Sequence, residues 1–414
     1  MLKTVLKWFG IVLGVIVLIV AGFALFIQLR GIPSYPTRKI DLKVEVTPAR
    51  VDAGRKIVNE LCANCHFDQA TNRLTGKKMA DLTGKFGVAY SRNITQDPVF
   101  GIGAWTDGDI AFLLRTGIKK DGRYAPPWMV KLPHMADEDL YSVIAFLRSS
   151  DTLVQAAQVK DHESEPSWFA KFLCFVAFKP FPYPDKPIGK PQITEKVAYG
   201  KYLVTGVLGC FQCHSADFAT NNDLDPEKSA GYMGGGNTLN DATGRIVFSP
   251  NITMDKETGI GGWTEAQFIQ TLRMGIKPDH TPLRYPMERM PDISDEEMSA
   301  IWAYLQTVPR LRVVNKMTGD IETAANASQG EQIYNKYSCY SCHGTTGVGT
   351  CDLRQASNKY KTNDELTAWI RDPSKTVPGS KMPTWNGTIQ ESEYAPLCDY
   401  VRLLGEKALV AQAQ

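Results

Sequence analysis

The chain has 414 residues, and its 46 lysine and arginine residues nearly balance its 44 aspartate and glutamate residues, leaving a formal net charge of +2. This balance gives no basic surface for nucleic acid, so no nucleic-acid partner is expected. The sequence also lacks a Gly-Lys-Ser/Thr phosphate loop and a Gly-x-Gly-x-x-Gly after a strand, and its length allows roughly two to four domains.

Residues 1–40 predict a membrane anchor. An uncharged run extends from Trp8 to Leu29 and is followed by Arg30. At 1.5 Å per residue this run covers roughly 33 Å as a helix, which matches the hydrocarbon thickness of a bilayer. The alternative is a cleaved signal peptide, whose apolar region is normally shorter, about 7–15 residues. We predict an uncleaved single span, with Lys3 and Lys7 on the cytoplasmic side and the remaining chain outside the cytoplasm.

Three copies of the pattern Cys-x-x-Cys-His occur along the chain. They are Cys62, Cys65 and His66; Cys210, Cys213 and His214; and Cys339, Cys342 and His343. This spacing is the attachment signature of c-type haem, in which two thiols hold the porphyrin and the histidine binds the iron. Zinc sites and dithiol redox pairs share the cysteine spacing but do not explain a histidine after every pair. We predict three covalently bound haem c groups.

The first two copies lie in a tandem duplication. Matching residues recur at an offset of 158 positions (251 − 93): Asn93 and Asn251, Trp105 and Trp263, Arg115 and Arg273, Asp137 and Asp295. The attachment motifs are offset by only 148 positions (210 − 62), so the second copy carries extra residues, among them the glycine run 234–236, which predicts a flexible loop. We predict haem domains over 45–155 and 195–312.

The same offset selects candidates for the second axial ligand of the first two irons. Methionine sulfur raises the reduction potential of a haem iron, as suits an electron carrier. Met129 and Met287 differ by 158 positions (287 − 129), whereas no methionine matches Met135 or Met290. We therefore predict Met129 and Met287 as ligands. The alternatives that remain open are Met135, Met290, His134, His280 and a purely core-filling role for the methionines.

An aromatic segment separates these two domains. Residues 156–194 form the predicted linker, and within it Trp168 to Phe181 is apolar apart from two lysines. The stretch can pack between domains, or dock on the membrane surface or a partner subunit, and interdomain packing is the favoured interpretation. Cys174 within it is predicted to be a small packed residue.

The third predicted domain covers 322–408. Met382, followed by Pro383, is its predicted iron ligand. The apolar periodicity from Glu393 to Leu404 predicts a terminal helix. Cys351 and Cys398 either form a disulfide or remain two buried thiols, and the sequence leaves both possibilities open.

These motifs resemble the haem c subunits of periplasmic alcohol, aldehyde and gluconate dehydrogenases. The resemblance rests on the three attachment motifs, on Asn-Ile-Thr at 93 and 251, and on Gly-Ile-Gly-x-Trp-Thr. It implies an all-α fold, with an N-terminal transmembrane helix followed by three tandem cytochrome c-type helical domains in the periplasm of a bacterium. The family implies a place beside the haem propionates for three residues of each of the first two domains: Asn93, Trp105 and Arg115, and Asn251, Trp263 and Arg273. A solvated surface position is the alternative for the two arginines. The family often has Met-Pro, but here Val130 and Glu288 follow Met129 and Met287.

The sequence therefore predicts a membrane-anchored trihaem cytochrome without a catalytic site of its own. Its expected donor is a periplasmic dehydrogenase, and its expected acceptor is quinone, another cytochrome or a terminal oxidase. One alternative is a subunit of a respiratory quinol-oxidising or oxidase assembly. A haem enzyme such as a peroxidase or reductase needs an iron with an open position, which three candidate methionine ligands disfavour.

Overall fold

The computed structural model describes residues 2–79, 82, 84–314, 323–377 and 379–413, and the predicted start of the third domain at residue 322 lies outside these ranges. The helices before the second attachment motif are α1 Leu2–Arg30, α2 Pro48–Leu61, α3 Ala63–His66, α4 Asp107–Thr116, α5 Asp137–Leu147, α6 Trp168–Val176 and α7 Lys196–Tyr202. The later helices are α8 Cys210–His214, α9 Glu265–Met274, α10 Asp295–Leu305, α11 Gln329–Lys336, α12 Tyr340–His343, α13 Ala356–Lys359, α14 Asn363–Arg371, α15 Pro373–Thr376 and α16 Glu391–Ala413.

Strands are short and sparse in the described ranges. β1 Gly87–Val88 pairs antiparallel with β2 Glu165–Pro166, and β3 Thr238–Asn240 pairs antiparallel with β4 Ile246–Phe248. A π-helical turn, Leu203–Val207, joins α7 to the second attachment motif. The predicted helix-rich class is confirmed.

Helix α1 matches the predicted anchor. It is long and apolar enough to cross a membrane by length and composition, and only Ile27 along it is buried against protein. Backbone hydrogen bonds tie the segment that follows α1 to the first predicted domain: Tyr35 N donates to Gly122 O at 2.8 Å, and Tyr124 N to Pro33 O at 3.1 Å. The first predicted domain is therefore held close to the end of α1.

Three helix pairs cross closely through a glycine. Gly54 of α2 faces the backbone of Ser142 in α5, and Gly200 of α7 faces Ala300 in α10. Gly330 of α11 faces Pro396 in α16 in the same way. A Cβ atom on any of these glycines would lie within 2.2 Å of the facing carbonyl oxygen, so only glycine allows the approach. Each pair encloses one attachment motif between its first and last helix.

The described residues form two apolar cores. Residues of the first two predicted domains form one continuous cluster, in which Tyr202 of α7 donates its hydroxyl to Asp139 of α5. The third predicted domain has a core of its own, around Tyr334, Trp385 and Leu397. The first two domains are therefore joined by apolar packing.

The aromatic linker does not pack between the first two domains, as the sequence analysis had favoured. Instead of filling the seam between the first two domains, α6 lies on the C-terminal turns of α1, with Phe23 against Phe172 and Phe26 against Phe175. Interdomain packing was therefore the wrong expectation, because the rings of α6 find matching rings on α1. Cys174 is fully buried, as predicted.

Cys351 and Cys398 are both free thiols. The Cys398 sulfur lies 3.4 Å from the Thr367 hydroxyl of α14, inside the core of the third domain. The Cys351 backbone is bound to the third attachment motif through Cys342 O. The two cysteines thus lie in different surroundings. Of the disulfide and the two separate thiols that the sequence left open, the structure has the separate thiols.

The extra residues of the second copy form an ordered hairpin. Gly236 N donates to Ser249 O at 2.8 Å, and β3 and β4 follow directly. The tip of this hairpin reaches the third domain, where Ala242 N donates to Ser341 O at 3.0 Å. The glycine run was predicted to be a flexible loop, but its backbone is bound here and leads into a contact between domains.

Candidate haem attachment sites

Each attachment motif occupies a short helix that ends in its histidine. The helices are α3, α8 and α12, and the first cysteine stands at or just before the start of each. His66 N donates to Cys62 O at 2.8 Å, and His343 N donates to Cys339 O at 3.0 Å. Cysteines three positions apart on one helical turn point to the same side, so both thiols can meet one porphyrin edge.

The three histidines share one hydrogen-bonding arrangement. Nδ1 of His66 lies 2.6 Å from Arg92 O, Nδ1 of His214 lies 2.9 Å from Pro250 O, and Nδ1 of His343 lies 3.0 Å from Cys351 O. A carbonyl oxygen only accepts, so Nδ1 must carry the proton in each ring. Nε2 then keeps its lone pair, which is the tautomer that binds a metal, and the carbonyl fixes the ring orientation.

Burial favours the neutral form of these imidazoles. His66 and His214 are each 7% exposed, and desolvation lowers the pKa of all three histidines, although the backbone hydrogen bond to Nδ1 opposes the shift. A neutral ring is the form that coordinates iron, so the protein surroundings prepare each histidine for that role. The donor set therefore fits haem c.

The attachment thiols do not have the electrostatics of a dithiol redox pair. Burial raises the pKa of Cys62, Cys210 and Cys339 to about 12 each. Reactive cysteines of dithiol enzymes instead have lowered pKa values that favour the thiolate. Within the described ranges, no group of three or more His, Cys, Asp or Glu residues is placed to hold a metal ion.

Met129 and Met287 occupy the same turn of the repeat. Met129 N donates to Pro126 O and Met287 N to Arg284 O, both at 2.9 Å. Both side chains are half-buried against the shared core of the first two domains. The offset of 158 positions thus corresponds to a real structural equivalence, and the assignment of the two methionines as ligands stays a prediction.

The competing ligand candidates have other surroundings. Met135 is fully buried in the core, and Met290 packs partly against it. His134 Nε2 lies 2.8 Å from the carbonyl oxygen of Asp223, and His280 stands in a turn with φ of +63°. Met382 is half-buried against the core of the third domain, and its ligand role likewise stays a prediction.

The two equivalent arginines hold the chain that follows the methionine loops. Arg115 is 1% exposed; it donates to Leu132 O at 3.0 Å, to Met135 O and to the Asp137 carboxylate at 2.7 Å. Arg273 donates to Ile293 O at 3.0 Å and to Asp295. A solvated position is therefore wrong for Arg115. Both guanidinium groups position the connection into the last helix, and their propionate role stays a prediction.

Asn93 and Asn251 close equivalent turns. The Asn93 side-chain oxygen accepts from Thr95, and its amide donates to Ala157 O and Val159 O, both at 3.0 Å. Asn251 accepts from Thr253 and donates to Leu311 O at 2.6 Å. Both side chains fasten the segment after the last helix of their domain, and both residues are buried.

The two tryptophans, Trp105 and Trp263, also stand in equivalent positions. Each packs half-buried against the shared core. The Trp105 carbonyl accepts from the Arg148 guanidinium at 2.5 Å. Their predicted place beside the haem propionates stays a prediction.

Sequence reasoning missed the residues that join the three sites. Arg289, two positions after Met287, donates to Ser380 O at 2.7 Å, beside Met382. Lys381 pairs with buried Glu60, two positions before Cys62. No local sequence pattern predicts such contacts, because Arg289 and Ser380 are 91 positions apart and Lys381 and Glu60 are 321 positions apart.

Comparison with known proteins agrees with this geometry. A family model described as cytochrome c matches residues 197–309, and a model described as cytochrome C oxidase, cbb3-type, subunit III, matches residues 325–401. The chain carries cytochrome c domains. Such domains bind haem c covalently and transfer electrons, and the assignment of a haem to each of the three attachment motifs stays a prediction.

Relatives of this cytochrome match most of its length. It is 25% identical over 382 residues to the cytochrome c subunit of alcohol dehydrogenase (quinone) from Gluconobacter oxydans, covering 82% of this chain and 75% of the relative. It is 28% identical to the fructose dehydrogenase cytochrome subunit of Gluconobacter japonicus, covering 70% and 63%. It is 25% identical to the gluconate 2-dehydrogenase cytochrome c subunit of Pantoea cypripedii, covering 69% and 67%.

Proposed function

We propose that this chain is a membrane-anchored trihaem cytochrome c that carries electrons from a periplasmic dehydrogenase to quinone, another cytochrome or a terminal oxidase. The observation that carries the proposal is the threefold recurrence of one arrangement, a Cys-x-x-Cys-His helix whose histidine donates Nδ1–H to a backbone carbonyl. Each bound haem supplies an iron that cycles between the ferric and ferrous states.

The protein contributes ligands and surroundings. His66, His214 and His343 supply one axial nitrogen each, and Met129, Met287 and Met382 are the proposed second ligands. Methionine in the second position raises the reduction potential relative to a second histidine, and burial adjusts it further. Six filled axial positions leave no site for a substrate, so the proposal assigns this chain electron transfer without catalysis.

Contacts between the attachment regions support a relay. The hairpin of the second domain reaches Ser341 of the third motif, as described above. Asp352, next to Cys351 whose carbonyl orients His343, donates its backbone N–H to Gln69 Oε1 at 3.2 Å. Gln69 stands three positions after His66. The third motif thus lies against parts of the other two, as a relay of electrons requires.

The named relatives support the donor. They are cytochrome subunits of alcohol, fructose and gluconate dehydrogenases, so we propose a dehydrogenase as the partner. A second candidate is an oxidase-linked assembly. It is favoured by the oxidase-subunit model over residues 325–401, and by 32% identity over 103 residues to cytochrome c oxidase subunit 2 of Alkalihalophilus pseudofirmus, covering 22% of this chain and 30% of that one.

The haem content tests the proposal directly. A pyridine haemochrome assay on the purified chain should return three haem equivalents, one per attachment motif. Replacing both cysteines of one motif with alanine should remove one equivalent, whereas Cys174→Ala, a buried cysteine outside the motifs, should retain all three. Fewer than three equivalents in the unaltered chain would contradict the proposal.

Spectra and partners distinguish the alternatives. Methionine ligation predicts low-spin spectra for all three irons. Each loss of a proposed methionine ligand should take one haem out of the low-spin state and lower its reduction potential, as tested with Met129→Ala, Met287→Ala and Met382→Ala. Rapid carbon monoxide binding by the unaltered protein would favour a haem enzyme instead. Purification from membranes should recover a dehydrogenase, whereas recovery of oxidase subunits would favour the second candidate.

A further inference from the structure

Helix α6 has no polar face, and part of it is exposed. Its nine residues include one charged side chain, Lys171. Ala170 and Cys174 are buried against the first domain, whereas Trp168, Phe169 and Val176 are 41%, 38% and 49% exposed. A helix that is apolar all round is normally covered on every side, so the exposed part of α6 requires an apolar environment that the described residues do not supply.

The position of α6 beside the anchor indicates what that environment is. Trp168 Nε1 donates to Ala24 O of α1 at 3.1 Å, and Phe23 and Phe172 meet edge to face at 6.4 Å. Ala24 stands six residues before Arg30, a rise of about 9 Å from the end of α1. Interfacial helices bury their apolar face about 5–10 Å into the headgroup and acyl boundary, which is the same depth.

Charge agrees with a lipid surface. Residues 168–181 contain two lysines and no aspartate or glutamate. Lys171 Nζ lies 3.5 Å from Gln28 Oε1, nearer the polar end of α1 than the rings below it. Lysine beside tryptophan is the usual composition at the membrane boundary, where the amine meets anionic headgroups.

We propose that α6 lies in the outer surface of the membrane that α1 crosses, with Phe169 and Val176 in lipid, so that the first haem domain is docked on the bilayer. The proposal rests on the proposed membrane anchor. It also orients the domain, because Phe169 lies 6.0 Å from Phe86, and Phe86 lies 6.5 Å from Trp128 between ring centroids. Trp128 precedes Met129, so the loop with the proposed methionine ligand of the first iron lies on the side of the domain that faces the membrane.

Photo-labelling of the full-length holoprotein tests this docking. The protein is reconstituted in vesicles of phosphatidylethanolamine and phosphatidylglycerol that contain a phospholipid with a photoactivatable group at the start of its acyl chain. Mass spectrometry of the digested protein should find lipid on peptides from α1 and on the peptide that contains Trp168 to Val176. The peptide around Phe218, which is also exposed, should carry none.

Matched variants give the test its contrast. Phe169→Asp with Val176→Asp should abolish labelling of α6 and leave the labelling of α1 and the haem spectrum unchanged. Val99→Asp, at a 77% exposed position away from α6, should change neither peptide. Label on α1 without label on α6 in the unaltered protein would overturn the docking alone. Absence of label from both would overturn the anchor as well, and a protein cross-link in place of lipid would assign this face to a partner subunit.

Discussion

Arg289 connects two proposed iron-ligand loops through a single buried side chain. It is 2% exposed, and its guanidinium donates to Ser380 O, Thr384 Oγ1 and Ser374 Oγ. We expect Arg289→Gln to lower the free energy of unfolding by about 2–4 kcal/mol, because several buried acceptors lose their donor at once. Redox titration should also show shifted potentials for the second and third haems and an unchanged potential for the first.

The control for Arg289 is another arginine of the same domain. Arg310 is exposed, so Arg310→Gln should change the free energy of unfolding by less than about 0.5 kcal/mol in the same denaturant titration. If both variants behave alike, Arg289 does not link the two loops. The sequence showed Arg289 only as one more charged residue after Met287, since nothing local marks a guanidinium whose acceptors lie in another domain.

At the scale of helices, the crossing glycines explain why each domain closes. A Cβ atom at Gly200 would lie 1.9 Å from Ala300 O, so alanine must push α7 away from α10. Overpacking of this kind costs about 1–3 kcal/mol, and we expect Gly200→Ala to lower the melting temperature of the holoprotein measured by circular dichroism. Gly54→Ala and Gly330→Ala should act in the same direction.

Gly262→Ala is the control, because a Cβ atom there would meet nothing within 4 Å. It should leave the melting temperature unchanged or raise it slightly, since alanine restricts the unfolded chain. An equal loss in Gly200→Ala and Gly262→Ala would mean that the close crossing is unimportant.

The sequence predicted the elements better than their contacts. Attachment motifs, the anchor helix and the repeat offset are local or periodic signals, and the structure has α1, the three motif helices and equivalent turns at Met129 and Met287. The crossing glycines gave a weaker signal, because their spacing from the attachment motif varies. Gly54 stands eight residues before Cys62 (62 − 54), whereas Gly200 stands ten residues before Cys210 (210 − 200). The π-helical turn lies between Gly200 and Cys210. Packing of α6 on α1 depends on which aromatic rings contact each other, and the periodicity of apolar residues in the sequence does not identify those pairs.

At the scale of the whole molecule, apolar packing joins the first two domains, and a group of buried polar contacts helps to attach the third. Glu60 and Lys381 form the central pair, with side chains 3% and 18% exposed, and Asn59 donates to Asp292 at 3.0 Å beside them. Because breaking one partner of a buried ion pair leaves an uncompensated charge, we expect Lys381→Ala to destabilise the protein by about 3–5 kcal/mol.

Calorimetry of the holoprotein should then resolve the third domain as a separate transition at lower temperature, since its own core remains intact while its attachment weakens. Lys375→Ala, whose side chain is 82% exposed in the same domain, should leave the profile unchanged. Combining Glu60→Gln with Lys381→Met should recover much of the loss, because no unpaired charge stays buried. If the double variant is as unstable as Lys381→Ala, packing at the junction matters and the charge pair does not. Recovery would instead mean that the electrostatic attraction of one buried pair holds the third predicted domain against the first.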